Sequence, residues 1–138
     1  MTVNNGKKIA LVTGAGSGIG EAIATRFASD GMAIGVLDIN GEAAEAVAAQ
    51  ISASGGCAIA LRANVADGVQ VETAVSKLRD AFGPISVLVN NAAVAPFCPF
   101  GEIQEDEWDR VVDVNLKSVF LVSRAVIPDM EALGWGRV

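Results

Sequence analysis

The chain has 138 residues, of which 51% are hydrophobic and 19% charged, so it can bury a core but forms at most one domain. Its formal net charge is −6 at pH 7. That charge argues against nucleic acid or an anionic membrane surface as a main partner. No stretch approaches the roughly 20 apolar residues of a membrane span. Cys57 and Cys98 lie far apart in the sequence, without metal-ligand spacing. We therefore expect a cytoplasmic protein without a metal site.

Short apolar segments alternate with helical segments through the first two thirds of the chain. The predicted strands are residues 8–13, 33–38, 57–62 and 85–90, and the predicted helices are residues 17–30, 41–53 and 67–82. Asp67 has the residue type and position of a helix N-cap. This alternation predicts βαβ units in a parallel sheet. With right-handed crossovers the fold class is α/β, a Rossmann-type doubly wound sheet of order 3-2-1-4.

The last third of the chain predicts two more helices and the start of a strand. Residues 102–113 and 116–130 have helical patterns, with Trp108 as a packing residue and Pro128 ending or kinking the second helix. Residues 134–138 look like a turn into a fifth strand, which would extend the order to 3-2-1-4-5. Because a central strand is an unfavourable place for a chain to stop, we expect residues 1–138 to be the N-terminal part of a longer single-domain protein, truncated as strand five begins. The alternative is a complete small domain.

The most informative motif is a glycine-rich turn between the first strand and the first helix. Residues 13–20 read TGAGSGIG, and a strict G-x-G-x-x-G does not fit them, whereas T-G-x-x-x-G-x-G does. Such a turn lets the backbone approach a phosphate, and the following helix N-terminus offers free N–H groups. Asp38 ends the second strand, where a carboxylate can accept hydrogen bonds from a ribose diol. The pattern predicts dinucleotide binding; the alternative is a tight turn without a ligand.

Two residue types that often carry proton transfer are missing from the sequence. The chain has no histidine and no tyrosine. Their absence excludes histidine-based acid–base chemistry, a Ser-His-Asp triad and a tyrosine general acid within these residues.

Four separated blocks together resemble the short-chain dehydrogenase/reductase family. They are residues 13–20, the pair Asn64-Val65, the NNAA of residues 90–93 and the DVNLK of residues 113–117, and they span nearly the whole chain. The family usually has glycine at the position of Ala93 and often aspartate at that of Asn64. The resemblance implies an NAD(P)-dependent enzyme that transfers a hydride between the cofactor and an alcohol or carbonyl substrate.

The resemblance also implies roles for individual residues. Those at the glycine-rich turn would cradle the pyrophosphate: Gly14, Ser17, Gly18, Ile19 and Gly20. Asp38 would hold the adenosine ribose. The remaining contacts would be Asn64 and Val65 at the adenine, and Asn91, Ala92 and Ala93 at the ribose and nicotinamide.

One residue of the family's catalytic set has a match in this chain. Asn115 matches the asparagine of the Asn-Ser-Tyr-Lys set, and it could equally be a helix-kink residue that bonds local backbone. The serine, tyrosine and lysine would follow Val138. We therefore expect the 138-residue chain alone to be inactive and its parent protein to be the oxidoreductase.

Charge favours NAD over NADP, because Asp38 would repel a 2′-phosphate while Ser17, Ile39 and Asn40 offer no compensating cation. The helix over residues 116–130 has apolar residues on more than one face. Family members often pair through it, so the resemblance implies a homodimer or homotetramer. Burial against the rest of a longer protein is the alternative.

Two other functions fit part of the pattern. An S-adenosylmethionine methyltransferase also uses glycines after a strand and an acid after the second strand, but here Val12 and Thr13 stand where its acid would precede the glycines. A non-catalytic nucleotide-binding module is the better interpretation if the natural protein ends at Val138.

Overall fold

Four parallel strands form one sheet in the order β3-β2-β1-β4, as predicted. The computed structural model describes residues 6–138. The strands are β1 Ile9–Thr13, β2 Ala33–Asp38, β3 Cys57–Arg62 and β4 Val87–Val89. In register, Ala33 pairs with Ile9 on one side and with Cys57 on the other, and Ala10 pairs with Val87. β4 is shorter than the predicted residues 85–90.

The helices lie between and after the strands. They are α1 Gly18–Ser29, α2 Gly41–Ala53, α3 Gly68–Phe82, α4 Glu105–Val112 and α5 Ser118–Leu133, with a 3-10 turn at Phe100–Glu102 and a π-helical turn at Asp113–Lys117. None of those within residues 6–138 is long and apolar enough to cross a bilayer.

Side-chain caps begin two of the helices. Asn40 Oδ1 accepts the N–H of Ala43 at the start of α2. Asp67 Oδ1 accepts the N–H groups of Val69 and Gln70 at the start of α3, which confirms the predicted cap. Hydrogen bonds from the backbone and side chain of Gln70 lower the pKa of Asp67 below its ordinary value.

The two faces of the sheet bury separate apolar clusters. Successive side chains of a strand point to opposite faces. Accordingly, Ala10 and Val12 belong to a cluster with residues of α1 and α2, whereas Ile9 and Leu11 belong to one with residues of α3 and α5. This is the layering of a doubly wound fold.

The region after β4 differs from the prediction in two details. α5 continues past Pro128 to Leu133, so the proline does not end the helix, and the alternative that it kinks the helix stays a prediction. The helix is anchored there, because Arg79 Nε donates to Asp129 at 2.9 Å and Asp129 also accepts the N–H of Ile85. Trp108 is 57% exposed, and α4 buries no residue, so within residues 6–138 Trp108 does not take the packing role predicted for it.

The start of a fifth strand lies where the pattern predicts it. Arg137 forms an isolated parallel bridge with Val87. Its N–H donates to the carbonyl of Ser86, and its carbonyl accepts the N–H of Leu88 at 2.9 Å. The predicted order 3-2-1-4-5 is therefore continued by a fifth segment beside β4.

Candidate functional site

A cleft of about 620 Å³ opens at the carboxyl ends of the strands. It is lined by all the predicted cofactor residues except Gly20: Gly14, Ser17, Gly18, Ile19, Asp38, Asn64, Val65, Asn91, Ala92 and Ala93. The carboxyl edge is where doubly wound sheets bind ligands. The fold therefore brings together residues as far apart in the sequence as Gly14 and Ala93.

At two glycines of the first turn, atoms of other residues lie so close that a side chain would not fit. Gly14 has φ +63°, and a Cβ there would lie 2.8 Å from the Cα of Ala92. A Cβ on Gly20 would collide with the carbonyl oxygen of Gly14, so Gly20 shapes the turn from beneath without lining the cleft. Gly18 also has positive φ, +57°, but a Cβ there would meet nothing within 4 Å. Backbone thus comes within reach of a ligand on the open side of the turn.

The N-terminus of α1 presents unpaired amides to this cleft. The N–H of Ala15 donates to Leu37, and that of Gly16 donates to Asp38. The next four amides, those of residues 17–20, donate to no acceptor among the described residues. Ser17, the N-cap, forms no side-chain cap hydrogen bond. Free first-turn amides together with the helix dipole form a site for an anion such as a phosphate.

The carboxylate of Asp38 is oriented by the backbone on two sides. Oδ2 accepts the N–H of Gly16, and Oδ1 accepts the N–H of Asn40, each at 2.9 Å. A Cβ on Gly16 would lie 2.9 Å from Oδ2, so a glycine is needed for this approach. Each carboxylate oxygen keeps a further lone pair, so a ribose diol can still donate to it.

Thr13 joins the two strand ends that flank the turn. Its buried hydroxyl, 2% exposed as a residue, accepts the N–H groups of Asn91 and Ala92 at 3.0 Å and donates to the carbonyl of Val89. Asn91 Nδ2 returns hydrogen bonds to the carbonyls of Thr13 and Gly14. These bonds hold the chain beside β1 after Val89, where β4 ends. Thr13 belongs to the predicted glycine-rich motif, but its linking role depends on residues near position 90 that the motif does not include.

The Asn64-Val65 pair lies at the end of β3. Asn64 Oδ1 accepts the N–H of Ala66 at 3.0 Å, and the Asn64 N–H donates to Gln70 Oε1. The Asn64 side-chain oxygen, which could accept a hydrogen bond from an adenine amino group, is therefore already used in a local turn, with one lone pair left. Val65 is buried but still borders the cleft.

Asn115 contacts the cleft only indirectly, through Val94. It lies in the π-helical turn and does not line the cleft, whereas Val94 does. Asn115 Oδ1 accepts the N–H of Val94, and Asn115 Nδ2 donates to the carbonyl of Val94, both at 2.8 Å. The partner is thus 21 residues away and not the local helix backbone that was the alternative expectation. A π turn frequently marks a functional position.

Sequence reasoning missed six lining residues: Leu37, Ile39, Ala63, Val94, Arg110 and Val114. Most of them adjoin predicted residues in the chain. Arg110 and Val114 belong to the α4 region, and only their helical spacing could have pointed to a shared face. No cluster of three or more metal-capable side chains occurs in residues 6–138, and both cysteines are free.

Comparison with known proteins points to one family. The family model described as short chain dehydrogenase matches residues 8–138. The chain is 41% identical over 131 residues to D-threitol dehydrogenase of Mycolicibacterium smegmatis. It is 40% identical over 129 residues to sorbitol dehydrogenase of Cereibacter sphaeroides. These alignments cover 95% and 94% of this chain.

A solved structure gives the same result. The crystal structure of a 3-ketoacyl-ACP reductase from Sinorhizobium meliloti 1021 matches with a TM-score of 0.90 at 40% identity, over 93% of this chain and 51% of that chain. The two dehydrogenases are covered over 50% and 49% of their lengths. The chain therefore spans about half the length of the relatives that it matches.

Proposed function

Because the chain belongs to the short-chain dehydrogenase family, we propose that it is the nucleotide-binding part of an oxidoreductase that transfers a hydride between NAD and an alcohol or carbonyl. The observation that carries the proposal is the row of unpaired amides at the start of α1, beside the oriented carboxylate of Asp38. The proposed unit is residues 1–138 as the N-terminal part of one Rossmann-type domain.

In this proposal the first turn holds the diphosphate. The amides of residues 17–20 donate to its oxygens, and Gly14 and Gly18 let them approach. Gly20 keeps the turn tight by packing against the Gly14 carbonyl. The fit is supported by the open space at Gly18, where no protein atom lies within 4 Å of a built Cβ.

Asp38 supports the choice of NAD. The two backbone N–H groups at Gly16 and Asn40 fix its carboxylate at the mouth of the cleft, where it accepts hydrogen bonds from the adenosine ribose. A 2′-phosphate at that ribose would meet this negative charge, and the neighbouring Ser17 and Ile39 carry no positive charge. NADP is therefore expected to bind more weakly than NAD.

The remaining predicted residues contact the two ends of the cofactor. Asn64 and Val65 flank the adenine, while Asn91, Ala92 and Ala93 border the ribose and nicotinamide. Asn115 is proposed as a positioning residue, since its amide fixes both backbone groups of Val94 beside that end.

When bound, the nicotinamide supplies the hydride acceptor or donor. This chain's contribution is to bind and orient it, because no tyrosine or histidine is present to move the substrate proton. Catalysis is proposed for the whole protein. The named activities of D-threitol and sorbitol dehydrogenases support a small alcohol or its carbonyl product as substrate.

Association and location complete the proposal. Leu116, Val119, Phe120 and Ile127 are apolar and exposed on the π turn and α5. Burying such a face against a second copy would give the homodimer or homotetramer predicted from the family resemblance. The free cysteines are consistent with a reducing cytoplasm.

Titration of the chain with NADH and NADPH tests the proposal. We expect NADH to bind more tightly, and Asp38→Ala to weaken NADH while reducing the preference over NADPH. Asp30→Ala is the matched control, because it also removes one carboxylate but pairs only with the exposed Arg26. Failure of the wild-type chain to bind either cofactor, or tighter binding of NADPH, would contradict the proposal.

The second candidate is a nucleotide-binding module without catalysis, and the absence of tyrosine from these residues favours it for the chain alone. It predicts the same titrations. Alcohol-dependent reduction of NAD by the whole natural protein separates the two, since a module would bind the cofactor and turn over nothing.

A further inference from the structure

The side chain of Gln70, in the first turn of α3, forms a hydrogen bond at each end of its amide. Its Oε1 accepts the N–H of Asn64, and its Nε2 donates to Asp67 Oδ2, each at 2.9 Å. Asp67 Oδ1 in turn accepts the N–H of Gln70 at 3.1 Å. These bonds join the segment that leaves β3 to the start of α3.

The same segment is a tight turn whose polar groups are bonded within the chain. The carbonyl of Asn64 accepts the N–H of Asp67, and Asn64 Oδ1 accepts the N–H of Ala66, both at 3.0 Å. With the bond to Gln70, the Asn64 N–H has a partner as well. Asn64 and Val65 line the cleft, whereas Gln70 is not among the described residues that line it. Gln70 therefore reaches the cleft through this turn.

The turn lies beside Asp38, at the end of the cleft that β3 forms. The N–H of Ala63 donates to the carbonyl of Asp38 at 3.1 Å, and Asn64 is the next residue. In the order β3-β2-β1-β4, β2 separates β3 from β1 and its glycine-rich turn. Diphosphate, ribose and base follow one another in an adenosine diphosphate group. A diphosphate at the turn after β1 and a ribose at Asp38 therefore leave the base on the β3 side.

We propose that Gln70 is a positioning residue for the adenine of the cofactor. By bonding the Asn64 N–H, it holds the turn that carries Asn64 and Val65 in one shape before the ligand arrives. A turn that is already ordered loses less conformational freedom on binding, so the cofactor binds more tightly. This inference rests on the proposed function, since it assumes that a dinucleotide occupies the cleft.

The test measures NADH binding to the wild-type chain and to Gln70→Ala by calorimetry and amide NMR. Gln70 is exposed. Alanine favours helix, so we expect the variant to keep the wild-type circular dichroism. Loss of the hydrogen bond to Asn64 is expected to weaken NADH about two- to fivefold. The shift that saturating NADH induces at the Val65 amide should change, while the shifts at Gly18 and Ile19 should match those of the wild type.

Two further variants separate hydrogen bonding from other effects. Gln50→Ala makes the same change at an exposed position on α2, outside the cleft, and is expected to bind NADH as the wild type does. Gln70→Met keeps an unbranched side chain of similar length but forms neither hydrogen bond. It is expected to lose as much affinity as Gln70→Ala.

Three results would overturn the inference. The first is wild-type NADH affinity in Gln70→Ala, and the second is wild-type affinity in Gln70→Met, which would assign the effect to packing. The third is an equal change of the NADH-induced shifts at Val65, Gly18 and Ile19, which would show a general distortion of the cleft. If the wild-type chain does not bind NADH, the proposed function itself fails. The wild-type titration therefore distinguishes that failure from a failure of the Gln70 assignment alone.

Discussion

The turn after β1 and the segment after β4 reach the same cleft but are held in different ways. The first turn is fixed from within the sheet, by the buried Thr13 hydroxyl, by Asn91 and by the two backbone N–H groups on Asp38. The later segment has exposed side chains at Phe97 and Phe100 and leads to α4, which buries none. Segments with few buried groups open at lower free energy. The phosphate end of the site is therefore held in its shape by hydrogen bonds within the chain, whereas the α4 side is held by few contacts.

A glycine pair gives the largest expected contrast between the two regions. Gly20→Ala introduces a Cβ against the Gly14 carbonyl, so we expect a loss of about 1–3 kcal/mol in the free energy of unfolding. Weaker NADH binding should accompany it as the α1 amides shift. Gly101→Ala, in the segment after β4, meets nothing within 4 Å and should change stability by less than about 0.5 kcal/mol. Denaturant unfolding of both variants measures the difference; equal stability would remove the contrast.

Removing the hydroxyl of Thr13 tests the link between the strand ends. Thr13→Val leaves the partly buried N–H groups of Asn91 and Ala92 without their acceptor, which is expected to cost about 1–3 kcal/mol. Thr13→Ser keeps the oxygen and should retain most of the stability. Thermal unfolding of the two variants decides the matter, and a serine variant as unstable as the valine variant would assign the effect to packing instead.

A smaller effect is expected where Asn115 fixes the later segment. Asn115→Ala deletes both hydrogen bonds to Val94, and at this exposed position we expect a loss of about 1 kcal/mol or less. A change in local hydrogen exchange should be clearer than the change in global stability. The Val94 amide should exchange faster, while exchange at Ala92 should stay unchanged. Uniform acceleration at both residues would mean that the two regions are not held separately.

The smallest effect concerns pH. The pKa of Asp67 is lowered in the folded chain from 3.8, so its charged cap stabilises α3 above that pH and is lost as the pH falls through the lower folded value. Asp67→Asn keeps a good cap without the titration. The wild-type melting temperature should therefore exceed that of the variant more at pH 6 than at pH 3. A difference that grows toward pH 3 would have the wrong sign.

Local patterns predicted what is fixed by local contacts. The bounds of β2, α2 and β3 follow from apolar runs and from breakers such as Gly55, and the strand order follows from crossover handedness. The role of Thr13 could not be read in this way, because it depends on Asn91 and Ala92, which only the fold brings near. The ion pair that holds α5 just past Pro128 likewise joins Arg79 to Asp129, which is 50 positions away in the sequence.

Amide NMR of residues 17–20 during titration with NADH tests the central claim most directly. If these backbone groups bind the diphosphate, the signals of Gly18 and Ile19 should show large, saturable downfield shifts, while that of Gly101 should stay in place. Saturation with NADH that leaves all four amides unmoved would contradict the account.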